Sequence, residues 1–204
     1  MNEDKNTEQA IFQAAEEIFM EKGYAATKTT EIAKKAGVNH AMIHYYFRTK
    51  ENLFTIIFKN KVELLANSIF SVSSKNRSFS EIITMAIDSH FDFIRENHKL
   101  ALFIVNEINN NESNNQIWKE IAIPVFSKVM ESIKEMVHTE ISTGKIRPID
   151  PVNFMITILS LNIFVFVAQP LLLDIAHFSP KEFDEFLEER KNENIRLALL
   201  ALKP

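Results

Sequence analysis

The chain of 204 residues has no cysteine, three glycines, six prolines and one tryptophan. Without cysteine there is no disulfide framework, no thiol nucleophile and no cysteine zinc site, and the composition suits a reducing, cytoplasmic setting. Three scattered glycines supply no phosphate-cradling loop, nucleophile elbow or dinucleotide fingerprint. Neither an enzyme nor a cofactor is therefore expected. No stretch alternates polar and apolar residues between hairpin turns, so strands are not expected either. The opening MNEDKNTEQ has no basic region followed by an apolar one, and directs no secretion.

What the chain does hold is 46% hydrophobic residues, enough to bury a sizeable core as one domain or two small ones. Its net charge of −4 is unevenly spread. Residues 1–21 carry one lysine against six acids, residues 22–61 eight basic residues against two acids, and the remainder fourteen against nineteen. A local charge of +6 inside an acidic chain is the footprint of a nucleic-acid contact when a binding motif coincides with it.

Such a motif lies at Gly23 to Leu53, GYAATKTTEIAKKAGVNHAMIHYYFRTKENL. Gly37 follows the helical run Ile32, Ala33, Ala36 and is suited to the left-handed residue that ends a helix. Small Ala33 and Ala36 admit a second helix closely, while Ile32, Val38, Ile43 and Phe47 form an apolar inner side. Asn39 is placed to cap the next helix, whose first turns present His40, Ala41, Met42, His44 and Tyr45 as base readers. Thr49 caps the helix after that, and Lys50 in its first turn suits a phosphate. This is the pattern of a helix-turn-helix DNA reader.

At these residues the chain resembles the TetR family of bacterial transcriptional regulators. The resemblance rests on Gly23-Tyr24, Thr27, Ile32-Ala33, Ala36-Gly37-Val38, the aliphatic-aromatic run Ile43 to Phe47, and Lys50-Glu51 with Leu53. It covers about a quarter of the chain, including the preceding helix at about Asn6 to Glu21. Two positions depart from the family pattern. Lys28 stands where Ser or Thr is usual, adding a phosphate contact and leaving Thr27 or Thr29 to cap the second helix. His44 stands where tyrosine is usual, with Tyr45 and Tyr46 as substitute phenols for the DNA backbone.

The rest reads as helix. Ser78 with Glu81, Ser113 with Gln116, Asp150 with Pro151, and Ser179-Pro180 with Glu182 are N-terminal signatures. The fourth helix is expected from Lys50 to about Ser73, polar connectors at 75–78 and 109–115, and Gly144 with Pro148 at the end of the seventh. The fold expected is all-α with about nine helices. It comprises a three-helix DNA-binding domain at 1–50 and a helical effector-binding and dimerisation domain at 51–204.

Pro151 to Leu173 runs 23 residues without a charge, long enough to span a bilayer. Asn153, Asn162, Gln169 and Pro170 interrupt it, no basic cluster flanks it, and the following helix is amphipathic. Burial between its own core and a partner subunit is therefore the expectation, and no membrane. The resemblance implies a homodimer through the last two long helices, which would bring two readers to an inverted-repeat operator in double-stranded DNA.

It also implies a pocket for a small effector, apolar or aromatic, among the middle helices. Candidates to line it are Phe91, Phe103, Asn106, Glu107, Trp118, Phe126, Asn162 and Phe166. Repression relieved by the effector is the expected mode. The competing reading is a helical interaction or membrane-associated module whose N-terminal motif is only structural. His40 and His44 have the spacing of a zinc pair but no third ligand nearby, so no metal is expected.

Overall fold

The computed structural model describes residues 2–70, 77–109 and 115–204, with side chains for 6–67, 77–106 and 119–204. The described residues form ten helices and no strand. They are α1 (Asn2–Ala26), α2 (Thr29–Ala36), α3 (His40–Phe47), α4 (Lys50–Phe70), α5 (Phe79–Glu96), α6 (His98–Asn109), α7 (Asn115–Ser142), α8 (Pro151–Val167), α9 (Gln169–Ala176) and α10 (Pro180–Leu202).

The helix beyond the nine expected arises where the uncharged stretch breaks at Ala168. Pro170 has no N–H to continue the ladder of α8, and a proline is at home in the first turn of a new helix. Among the described residues no single helix is long and apolar enough to cross a membrane. The α8 and α9 pair passes that test only together, and is bent by 63° at the break.

Most boundaries follow the caps in the sequence. Ser78 and Ser179 accept from the N–H groups of Glu81 and Glu182, and each glutamate returns a bond to the capping backbone. Asp150 accepts from Asn153 N–H at 2.7 Å, with Pro151 beside it. Gly144 (φ 69) ends α7, where Lys145 N–H reaches Glu140 O at 3.0 Å. The expected cap of Ser113 with Gln116, the end of the fourth helix near Ser73, and most of the connectors at 75–78 and 109–115 lie outside the described residues.

The chain divides into two compact units: residues 1–63 with 99–123, and residues 64–98 with 124–204. In the first, α1 buries Ile11, Ala14, Ala15 and Ile18, the spacing that lays one apolar stripe along a helix. Those residues share a core with Phe19, Ile32, Ala33, Ile43, Phe47, Leu53 and Ile57. Phe54 and Phe58 stack at 5.6 Å, and both meet Phe103 of α6 edge-on at about 6 Å.

In the second unit, α5, α8 and α10 pack together. Phe79, Ile83, Ile87, Val137, Ile146, Phe154, Ala198 and Leu202 form the hydrophobic cluster. Arg147 closes the carboxyl end of α10, its Nε donating to Ala201 O at 2.6 Å and its N–H to Leu202 O at 3.2 Å. Lys191 is nearly buried, with Asp92 at 2.9 Å and Asp88 and Glu188 each at 3.3 Å. Burial alone would lower its pKa, but the carboxylates prevail and raise it.

His90, 2% exposed, joins Asn162 and Asn194 in a buried polar group within this unit. Burial pushes its pKa down from 6.5 to about 4. The unfolded chain therefore takes up this proton first as pH falls, so stability present above pH 6.5 is lost on the way to pH 4. The shift corresponds to about 3 kcal/mol. Denaturant midpoints measured between pH 7 and 4 should fall more steeply for the wild type than for His90→Gln, which has no proton to take up.

Candidate nucleic-acid interface

The basic N-terminal segment folds into three short-linked helices, and each link has a local cause. Gly23 (φ 75, ψ 172) breaks α1, and Thr27 Oγ1 donates to its carbonyl at 2.7 Å. Lys28, extended at φ −106, occupies the N-cap of α2 without a side-chain cap. Neither Thr27 nor Thr29 takes over that role, against the sequence expectation. Glu31 reaches back to Lys28 N–H at 3.4 Å instead, and that bond is the carboxylate half of a capping box. The side-chain hydrogen bond from Lys22, then the Lys28 N–H, hold the Glu31 carboxyl below its ordinary pKa.

Gly37 carries the turn. It is left-handed (φ 69, ψ 27), with Val38 N–H bonded to Ala33 O at 3.0 Å and Gly37 N–H to Lys34 O at 3.3 Å. These two bonds satisfy the last carbonyls of α2 in a Schellman arrangement. Asn39 then restarts the chain as a helix, its Oδ1 accepting from Ala41 N–H at 2.9 Å. On α3, Ile43 and Phe47 point into the core, one helical turn apart. That fixes the opposite side outward, where His40, Ala41, His44 and Tyr45 are exposed, with Tyr45 at 63%. Met42 and Tyr46 are half-buried at its margins, and the Tyr45 and Tyr46 rings meet edge-on at 5.0 Å.

A second fastening holds the far end. Lys50 Nζ donates to Tyr24 O and Thr27 O, both at 2.7 Å, and lies 4.2 Å from the Tyr24 ring centroid. Thr49 Oγ1 accepts from Asn52 N–H at 3.0 Å, while Asn52 Nδ2 donates to Phe47 O at 3.0 Å. Asn52 carried no local sequence signal, because its partner lies across the end of α3. Burial and the Glu51 charge raise the Tyr24 pKa, keeping its phenol neutral beneath the lysine.

The remaining sequence candidates divide clearly. Thr27 is buried under the turn, Lys28 is exposed, and Thr29 Oγ1 lies 2.8 Å from His40 Nε2, linking the start of α2 to the start of α3. Of the eight basic residues between 22 and 61, Lys22, Lys35 and Lys61 pair with Glu31, Glu17 and Glu16. Lys28, Lys34, Arg48 and Lys59 have no ion pair among the described residues. The positive surface left for a polyanion is therefore smaller than the bare +6, but lies beside α2 and α3.

The expected effector residues are not one cluster. Phe91 and Phe166 pack at 5.1 Å in the second unit, where Asn162 is fully buried and bonded to His90. Phe103 belongs to the core of the first unit, and Asn106 is exposed. Phe126 is half-buried, and the side chains of Glu107 and Trp118 lie outside the described residues.

Two helices joined by a left-handed glycine, the second with a buried face and an exposed face, define a helix-turn-helix DNA-binding domain. Residues 11–56 match the model for bacterial regulatory proteins of the tetR family. It is 30% identical over 111 residues to the fatty acid metabolism regulator protein of Bacillus subtilis, a match covering 54% of this chain and 56% of that one. The chain thus spans little more than half the length of that curated relative. A tetR-family regulatory protein from Rhodococcus RHA1 shares the fold at TM-score 0.75 and 19% identity, over 97% of each chain. The regulator FadR from Bacillus subtilis, solved with stearoyl-CoA, shares it at TM-score 0.66 and 20% identity, over 95% of this chain and 98% of that one.

A Cβ at Gly37 would meet nothing within 4 Å, so the glycine serves its φ alone. Gly37→Ala should lower the unfolding free energy by about 1 kcal/mol through backbone strain. Gly37→Asn should recover much of that loss, because asparagine tolerates the left-handed region. Equal losses for both, read from denaturant midpoints, would show that packing rather than φ governs the position.

Proposed function

We propose that the protein is a transcriptional regulator that binds an inverted-repeat operator as a homodimer and is released from it by a small effector. The observation that carries this reading is the outward face of α3. His40, Ala41, His44 and Tyr45 stand exposed on a helix whose other side is locked into the core. Lys28 and Lys34 lie on the adjoining helix without ion-pair partners among the described residues. In this reading α3 enters the major groove, with Asn39, His40, Ala41, Met42, His44 and Tyr45 toward base edges. Lys28, Thr29 and Tyr46 serve the phosphate backbone, while Thr27 and Lys50, whose ammonium holds the Tyr24 and Thr27 carbonyls rather than a phosphate, steady the turn.

Dimerisation through the last long helices is supported by apolar side chains that stand exposed among the described residues. Val152, Ile156, Phe164 and Val167 on α8, Leu171 and Ile175 on α9, and Leu200 on α10 are all more than 40% exposed. Apolar surface of this kind marks an interface. On this reading residues 1–50 are the DNA-binding domain and 51–204 hold the effector site and dimer interface, in a cytoplasmic protein. The relative named for fatty acid metabolism and the FadR structure with stearoyl-CoA support an effector with a long apolar part. The buried Phe91 and Phe166 in the second unit suit such a molecule. Control then works by population shift, the effector favouring a state in which the two readers no longer match both half-sites.

Operator affinity should fall linearly with salt on logarithmic axes. Lys28→Ala should weaken binding to all sequences alike and reduce that slope by about 1, whereas His40→Ala and Met42→Ala should change which sequence is preferred. A uniform loss from all three would remove α3 from the base-reading role. Binding that ignores salt, together with partitioning into vesicles, would favour a membrane-associated module instead.

A further inference from the structure

Among the described residues, two buried polar atoms of the second unit have no hydrogen-bond partner, His90 Nε2 and Asn194 Oδ1. They are the two ends of one relay. Asn194 Nδ2 donates to Leu161 O and to Asn162 Oδ1, each at 3.0 Å. Asn162 Nδ2 in turn donates to Ile87 O and meets His90 Nδ1, each at 3.1 Å.

The two backbone carbonyls fix the orientation of both amides. Turning either one over would set its oxygen against a carbonyl oxygen. Asn162 therefore aims an N–H at His90 Nδ1, which must accept, and the ring proton sits on Nε2. His90 thus offers an N–H with no acceptor, and Asn194 a carbonyl oxygen with no donor, on residues 2% and 1% exposed. A buried donor left unpaired forfeits its hydration without return, so an empty arrangement is costly.

Buried apolar side chains lie within about one helical turn of the relay residues on α5 and α8. Ile87, Phe91 and Ile94 of α5 and Val165 and Phe166 of α8 are all buried, with Phe91 and Phe166 in ring contact. Lys191 lies one turn from Asn194, but its ammonium is held by Asp88, Asp92 and Glu188. We propose that the Nε2–H of His90 is the polar anchor of the effector site, taking the uncharged carbonyl oxygen of an ester, thioester or amide on an otherwise apolar ligand. This rests on the effector reading above.

The relay selects that chemistry. An acceptor is required because Nε2 carries the proton. An uncharged one is required because His90 cannot become a cation without setting a second N–H against the Asn162 amide. A carboxylate would then lie unpaired in an apolar interior. Asn194 Oδ1, at the other end of the relay, is left as the acceptor for a separate donor group or water. A lone ordered water is the rival occupant at His90 Nε2.

The test uses stearoyl-CoA and S-octadecyl-CoA, which differ only in that the second lacks the thioester carbonyl, titrated calorimetrically into the full chain. The wild type should bind the thioester about tenfold more tightly, the size of one well-made hydrogen bond. Stearoyl-CoA should also shift the ¹⁵N resonance of His90 Nε2, and S-octadecyl-CoA should not. His90→Phe should bind both alike. Should that variant fail to fold, the wild-type comparison and the resonance decide alone. Equal wild-type affinities with an unmoved His90 resonance would overturn the anchor, leaving a water on Nε2 and the effector reading intact. Failure of both compounds to bind would overturn the anchor and the acyl effector reading together.

Discussion

The conformation of one residue governs the candidate interface. With φ at 69° Gly37 takes a left-handed turn, and Val38 can close back on Ala33 as the chain leaves α2. An ordinary side chain at this φ would be strained, and a right-handed φ would carry the chain onward along α2. Asn39, two residues later, fixes where α3 begins, and so which of its residues face the core. The exposure of His40, His44 and Tyr45 is thus a consequence of the turn. Lys50 secures the other side by holding the carbonyls of Tyr24 and Thr27.

Charge acts on a different scale from packing. The chain as a whole is acidic, yet its helix-turn-helix segment is basic, so a polyanion is attracted by one surface and repelled by much of the remainder. Three of the eight basic side chains there are neutralised by glutamates, two of them held across to Glu16 and Glu17 of α1. These pairs are partly exposed and contribute little to stability. Their larger effect is to decide which cations remain for a ligand.

Features with local causes were legible in the sequence: the serine and aspartate caps, the glycine ends of α2 and α7, and the helical class. Each depends on residues within about four positions of one another. The break at Ala168 was half legible, since Pro170 marked an interruption without showing that a separate helix follows. The unexpected features all join distant parts of the chain. Lys50 reaches back 26 residues to Tyr24 O, and Lys191 reaches 99 residues to Asp92. His90 meets Asn162 across 72 residues and Asn162 meets Asn194 across 32. No periodicity encodes such pairings. Asn162 and Phe91 could be suspected of forming a site, but their partners could not be named.

The central claim is that the exposed face of α3 reads DNA sequence, two copies at a time. Selection of bound sequences from a random duplex pool by the full chain, followed by hydroxyl-radical footprinting, tests it most directly. Enrichment of one inverted repeat is expected, with symmetric protection of both halves. Recovery of unenriched DNA, or of a single unsymmetrical site, would contradict it.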